Sequence, residues 1–255
     1  LDRAWLCWHV DSDWCLVQQC LAKTVGWTPL VGFDPQKGPP ERLVEGAVLI
    51  DFNANLGLPI LYPHVPLEFA FAFIDRLAFW HADFLISPEK LRLYADAFLL
   101  LADGETACVP TRQARTILKP RGERYWELLG CTTRAASQSQ FDNGCGWWMN
   151  FWKHPNFKAT GSTKGYSWDH GGGITYWMRN VGGVVKETPL EELEHGHFSI
   201  INNPDYKRST TESAHYYRDL SKELSLNFQL ADCARRVGID LEALLDQHKV
   251  FVVNR

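Results

Sequence analysis

Short apolar runs alternating with stretches of helical spacing predict an α/β domain with a mostly parallel central sheet flanked by helices. Two further observations agree. The chain has 255 residues, enough to bury a full core. Its polar groups Asp11, Asp13, His81 and Asp83 fall where predicted strands end, which is where parallel sheets collect their ligands.

The elements follow in order. Ala4 to Val10 reads as a first buried strand, closed by the polar run Asp11-Ser12-Asp13. Trp14 to Val25 has helical spacing and Gly26 is a natural stop. Thr28 to Phe33 gives a second strand, Gly38-Pro39-Pro40 a loop, and Ala47 to Phe52 a third strand. Pro66 to Asp75 reads as a helix and Leu77 to Ile86 as a buried strand. A second long helix runs from Pro88, a good first-turn residue, to about Leu101, and ends at Asp103-Gly104. After Pro110 the pattern loosens. Lys158 to Gly165 reads as a loop, Ile174 to Asn180 as a helix, and further helices fall around Arg218 to Leu230 and Leu241 to Lys249.

Composition narrows the function. A net charge of −4 with mixed signs gives no broad basic surface, which argues against a nucleic-acid partner. No apolar stretch reaches the roughly 18–20 residues a membrane span needs, because Asp75, Arg76, His81 and Asp83 break the best candidate. The hydrophobic and charged fractions are those of a soluble globular protein, and the seven scattered cysteines, without a Cys-x-x-Cys pair, lead us to expect free thiols and a cytoplasmic, reducing location. The chain begins at Leu1 rather than Met, so targeting is not readable from it. Eleven tryptophans suit either stacking against sugar rings or core packing.

Four polar groups carry chemistry: His9-Val10-Asp11-Ser12-Asp13, His81-Ala82-Asp83, Asp169-His170 and His195-Gly196-His197. The second interrupts the apolar run Phe79 to Ser87. Burying an imidazole and a carboxylate costs several kcal/mol unless both find partners, and residues two apart on a strand share a face. A cation, a substrate hydroxyl, or a plain His–Asp hydrogen bond would each satisfy them. Asp169 stands ahead of three glycines, as a base or as a helix cap. His195 and His197 suit a metal or an exposed loop. The basic run Arg112, Arg115, Lys119, Arg121 and Arg124 suits phosphate or a solvated face.

The order of these groups resembles the GT-A class of nucleotide-sugar glycosyltransferases. A strand ends in His81-Ala82-Asp83, an aromatic segment Gly144-Cys145-Gly146-Trp147-Trp148 follows, then Trp168-Asp169-His170, then a late His197. The likeness spans roughly residues 4 to 200 and is one of arrangement. His81 stands where the class has the first Asp of its Asp-X-Asp motif. The resemblance implies a GT-A-like (Rossmann-like) sandwich: a catalytic domain over 1–205, its nucleotide-binding half about 1–110 and its acceptor half about 111–205. A helical extension would fill 206–255. It implies inverting transfer of a sugar from a nucleotide diphosphate donor to a carbohydrate or glycoconjugate hydroxyl. Asp83, His81 and His197 would hold Mn²⁺ or Mg²⁺, and Asp169 would act as catalytic base. Asp11, Asp13, His81, Arg112 and Arg115 would border the donor; Trp147, Trp148 and His170 would meet the acceptor.

Two other readings stay open. The same carboxylates and imidazoles suit a metal-dependent hydrolase of a phosphoester or acylated sugar, although metallophosphatase combinations and a Gly-x-Ser-x-Gly elbow are absent. A non-catalytic carbohydrate-binding protein of transferase-like fold is the other, kept open by His81. With no P-loop or dinucleotide fingerprint, NTPases and nicotinamide oxidoreductases are disfavoured.

Overall fold

The computed structural model describes residues 1–58, 61, 63–111, 124–147, 171–189, 193–198 and 230–253. Strand β1 (Arg3–His9) is buried from Ala4 onward, as a run apolar on both faces requires. Helix α1 (Ser12–Thr24) begins beneath Asp11, whose carboxylate accepts the N–H groups of Asp13 and Trp14 and so satisfies donors the first turn leaves open. Gly26, at φ +80°, lets the chain leave the helix. Strand β2 (Thr28–Phe33) matches its predicted bounds.

The third predicted strand is shorter than its apolar run. Strand β4 (Val48–Leu49) pairs parallel with β2, Leu30 opposite Val48 and Val31 opposite Leu49. The Asp51 carboxylate then accepts the N–H of Asn53 and turns the chain away. Before it, the unforeseen β3 (Arg42–Val44) pairs antiparallel with the equally unforeseen C-terminal β9 (Val250–Val252). Helix α2 (His64–Glu68) and one 3-10 turn at Ala70–Ala72 replace the single helix expected over Pro66 to Asp75.

Strand β5 (Arg76–Trp80) stops six residues early, because Phe84 donates back to the His81 carbonyl at 3.1 Å and closes a turn. Helix α3 (Pro88–Leu99) starts as expected, with Pro88 at its first position and the Ser87 hydroxyl accepting from Lys90 N–H.

Beyond residue 104 the chain is more regular than its sequence suggests. Strands β6 (Glu105–Thr111), β7 (Arg124–Thr133) and β8 (Val184–Glu187) join the sheet, with helix α4 (Arg134–Asp142) after β7. β7 runs antiparallel to both β5 and β6, whereas β8 is parallel to β6. The seven strands form one mostly parallel sheet in the order β4-β2-β1-β5-β7-β6-β8. Gly130 sits within β7 opposite Phe79, where a Cβ would lie 2.5 Å from the Phe79 ring and 2.3 Å from the Ala107 carbonyl oxygen. A neighbouring strand's aromatic ring dictates that glycine.

Helix α5 (Gly172–Tyr176) and a wide turn at Trp177–Val181 lead into β8. Helices α6 (Leu230–Arg236) and α7 (Leu241–Asp246) precede β9, so the C-terminal segment is not purely helical; the expected helix around Arg218 lies outside the described residues.

Two compact units interleave along the chain, one comprising Leu1–Ala4, His64–Trp80 and Asp96–Glu192, the other Trp5–Pro63, His81–Ala95 and Leu193–Arg255. Neither changes over near residue 110 or 205. The first packs Trp147 edge-on to Phe79 at 4.8 Å, and the second packs Trp5 against Trp27 at 5.4 Å. Both contacts put tryptophan in the core. All seven cysteines are free and buried, and burial pushes the Cys15 and Cys145 thiols up to about 12. Among the described residues no helix is long and apolar enough to cross a membrane.

Candidate metal centre

The strongest polar cluster belongs to the second unit and forms where the chain leaves β5. His81 and Asp83 converge, with Nδ1 and Oδ1 3.7 Å apart, but not as strand neighbours: β5 has ended, and the turn from His81 to Phe84 carries both. From α1, the Gln18 side-chain Nε2 donates to the carbonyls of His81 at 2.8 Å and Phe84 at 2.9 Å. This fastens the turn to a rigid helix.

The third member arrives from more than a hundred residues away. A short strap, Leu193 to Phe198 with one 3-10 turn at Glu194–Gly196, lies against the segment after the turn. Leu85 N–H donates to the Gly196 carbonyl at 2.9 Å and Phe198 N–H to the Asp83 carbonyl at 3.0 Å, bridging Phe84 to His197. Gly196 permits this approach, since a Cβ there would sit 2.0 Å from the Leu85 oxygen. His197 Nε2 then lies 3.4 Å from Asp83 Oδ1 and 3.3 Å from His81 Nδ1.

One atom from each residue lies within 4.8 Å of the others, and these three form the one such group among the described residues. Donors bound to one ion at about 2.0–2.3 Å can stand at most about 4.6 Å apart, so small side-chain adjustments suffice to bring all three onto a cation. The side chains retain 18% (His81), 16% (Asp83) and 10% (His197) exposure, enough for a further ligand and little enough to strengthen electrostatics. Burial pushes the Asp83 carboxyl up, but the His197 hydrogen bond and the two neighbouring imidazoles outweigh it and hold the group below the usual carboxylate range.

That shift fixes an acid signature. Between the depressed folded value and the ordinary one near about 4, the unfolded chain binds more protons, so Asp83 contributes stability above that range and loses it as pH falls. Urea midpoints measured with chelator from pH 6 to pH 2 should therefore fall more steeply for the wild type than for Asp83→Asn. Parallel curves below about pH 4 would remove Asp83 from the acid transition.

The other candidates have different duties. Asp11 caps α1, Asp13 pairs with Arg42 at the exposed surface, and His9 binds the Gly38 carbonyl at 2.8 Å and the Ser12 hydroxyl at 3.2 Å. Trp147 is a correction: it is fully buried against Phe79 and forms no open wall. His195 is exposed on the strap itself. Arg112, Arg115, Trp148, Asp169 and His170 lie outside the described residues.

Two features escaped the sequence reading. Gln18 carried one signal: with Gln19 it forms a polar pair inside the mostly apolar run Trp14 to Ala22. His64 of α2 and Glu127 of β7 form a buried pair at 3.2 Å in the first unit, joining residues too distant in sequence for any spacing rule. No protein-family model matches the chain, and no curated protein is significantly similar to it in sequence.

Proposed function

We propose that the chain is a metal-assisted glycosyltransferase of the GT-A class, transferring a sugar from a nucleoside diphosphate donor to a carbohydrate hydroxyl. One observation carries this reading. His81, Asp83 and His197 converge immediately beyond the carboxyl end of β5 in a mostly parallel α/β sheet, where such sheets bind their ligands. A divalent cation held there supplies positive charge to the departing diphosphate. Asp83 offers the anionic ligand, kept ionised by its two imidazole neighbours. His81 and His197 offer ring nitrogens, which suit Mn²⁺ better than Mg²⁺ because Mg²⁺ favours oxygen donors and octahedral hydration. Asp169 would take the acceptor proton, His170 and Trp148 would meet the acceptor, and Arg112 and Arg115 would contact the diphosphate, as the resemblance implies. Seven buried free thiols fit a reducing, cytoplasmic setting.

The donor set itself supports a second reading. Two imidazoles and one carboxylate also suit a catalytic Zn²⁺ that activates water, hence a hydrolase. Melting the protein with Mn²⁺, Mg²⁺ or Zn²⁺, each with and without UDP, GDP, CDP or ADP, separates the two. A transferase gains further stability from one nucleotide only when metal is present, because a ligand that binds only the native state raises apparent stability. A hydrolase responds to Zn²⁺ alone. No shift with any metal would exclude both readings.

A further inference from the structure

We infer that Gln18 is a positioning residue of the metal centre, setting its ligand geometry through two main-chain carbonyls. The inference rests on the metal reading above. Gln18 is fully buried, and its one amide nitrogen spends both hydrogens on the turn that carries His81 and Asp83. The His81 carbonyl also accepts from Phe84 N–H, so the turn is closed on itself and pinned to α1 at both ends. A single atom that donates twice is a property of a primary amide; a carboxylate offers only acceptors, and an aliphatic chain offers nothing.

Its neighbour cannot take over the task. Gln19 Nε2 donates to the Arg42 carbonyl at 3.3 Å, while its Oε1 accepts from Val44 N–H at 3.0 Å, tying α1 to β3 instead. Gln18 Oε1, by contrast, is buried with no hydrogen-bond partner among the described residues. Burying an amide oxygen without compensation is unfavourable, and an aliphatic residue of similar length would avoid it. Among the described residues, however, the same amide nitrogen is the donor that satisfies the buried Phe84 carbonyl, so the amide also serves the fold, and ligand geometry is the readout that separates the two roles. The turn fixes where His81 Nδ1 and Asp83 Oδ1 stand relative to His197, and outer-shell partners tune affinity by about 10–100-fold.

Co²⁺ is the probe, because its visible absorption reports coordination geometry as well as occupancy. Gln18→Met keeps length and packing and removes both donors. It should bind Co²⁺ about 10–100-fold more weakly than the wild type, with an altered spectrum, while its melting temperature in chelator falls only modestly, since the Phe84 carbonyl loses a donor as the orphaned amide oxygen is removed. Gln18→Asn, which keeps the amide but withdraws its reach, should show the same loss and covers the case in which Met does not fold. Wild-type Co²⁺ affinity and spectrum in either variant would overturn the inference while leaving the metal reading intact. Failure of both variants to fold would also overturn it, making the tie a folding contact. Absence of Co²⁺ binding by the wild type would remove the metal reading itself, and the inference with it.

Discussion

Asp83→Asn is expected to abolish the Mn²⁺-dependent rise in melting temperature. The cluster brings one anionic group and two imidazoles together, so the substitution removes its only formal negative charge while preserving size. An amide oxygen remains a weak ligand, but Mn²⁺ favours carboxylate oxygen and loses the one anionic donor of the cluster. In the wild type, metal at a hundredfold excess over its dissociation constant adds about 2.7 kcal/mol of apparent stability. For a chain of this size that corresponds to a rise of roughly 5–10 °C. The Asn variant should show a rise within error of zero at the same concentration. His195→Ala, altering the exposed imidazole within the strap, should keep the full rise and exclude a general effect of the region. An undiminished rise in Asp83→Asn would mean that metal binds elsewhere.

What could be read from the sequence, and what could not, follows the range of the interactions involved. β1, α1, β2 and α3 were legible because local chemistry determines them: continuous apolar runs, the Asp11 cap, the Gly26 stop and Pro88 at a first turn. β7 was not, because Glu127 and Gly130 interrupt its apolar pattern for non-local reasons. Glu127 answers His64, and Gly130 makes room for Phe79.

The metal cluster shows the same division. The cost of burying His81 and Asp83 pointed to a shared partner, and they do converge. The strand geometry invoked for them was wrong, since a turn places them. His197 was named for the metal through the resemblance; residue spacing alone did not separate it from His195, and the bridge to Phe84 is what brings it to the cluster. Trp147 shows the opposite error, a residue whose aromatic neighbourhood suggested a ligand wall and whose side chain completes a core.

Gly196→Ala should weaken metal binding as severely as removing the His197 side chain, although no ligand is altered. The added methyl would stand 2.0 Å from the Leu85 carbonyl oxygen and 3.1 Å from the Phe84 ring. That oxygen belongs to the backbone whose own N–H donates to the Gly196 carbonyl, so it cannot retreat without stretching the bond that holds the strap. The strap must move instead. His197 Nε2 lies 3.4 Å from Asp83 Oδ1, so a displacement of more than about 1.2 Å carries the pair past the roughly 4.6 Å that donors on one ion can span. Overpacking of this kind costs about 1–3 kcal/mol, so the melting temperature in chelator should fall by roughly 2–12 °C. A general loss of stability is separable from a loss of ligand geometry by a second glycine. Gly182 has φ +85° and open space where its Cβ would stand, so Gly182→Ala suffers backbone strain of about 1–2 kcal/mol without disturbing a neighbour. Both variants should melt earlier, and Gly182→Ala should retain wild-type Mn²⁺ affinity by calorimetric titration. If Gly196→Ala retains it too, the strap does not place His197, and the centre reduces to the His81–Asp83 turn.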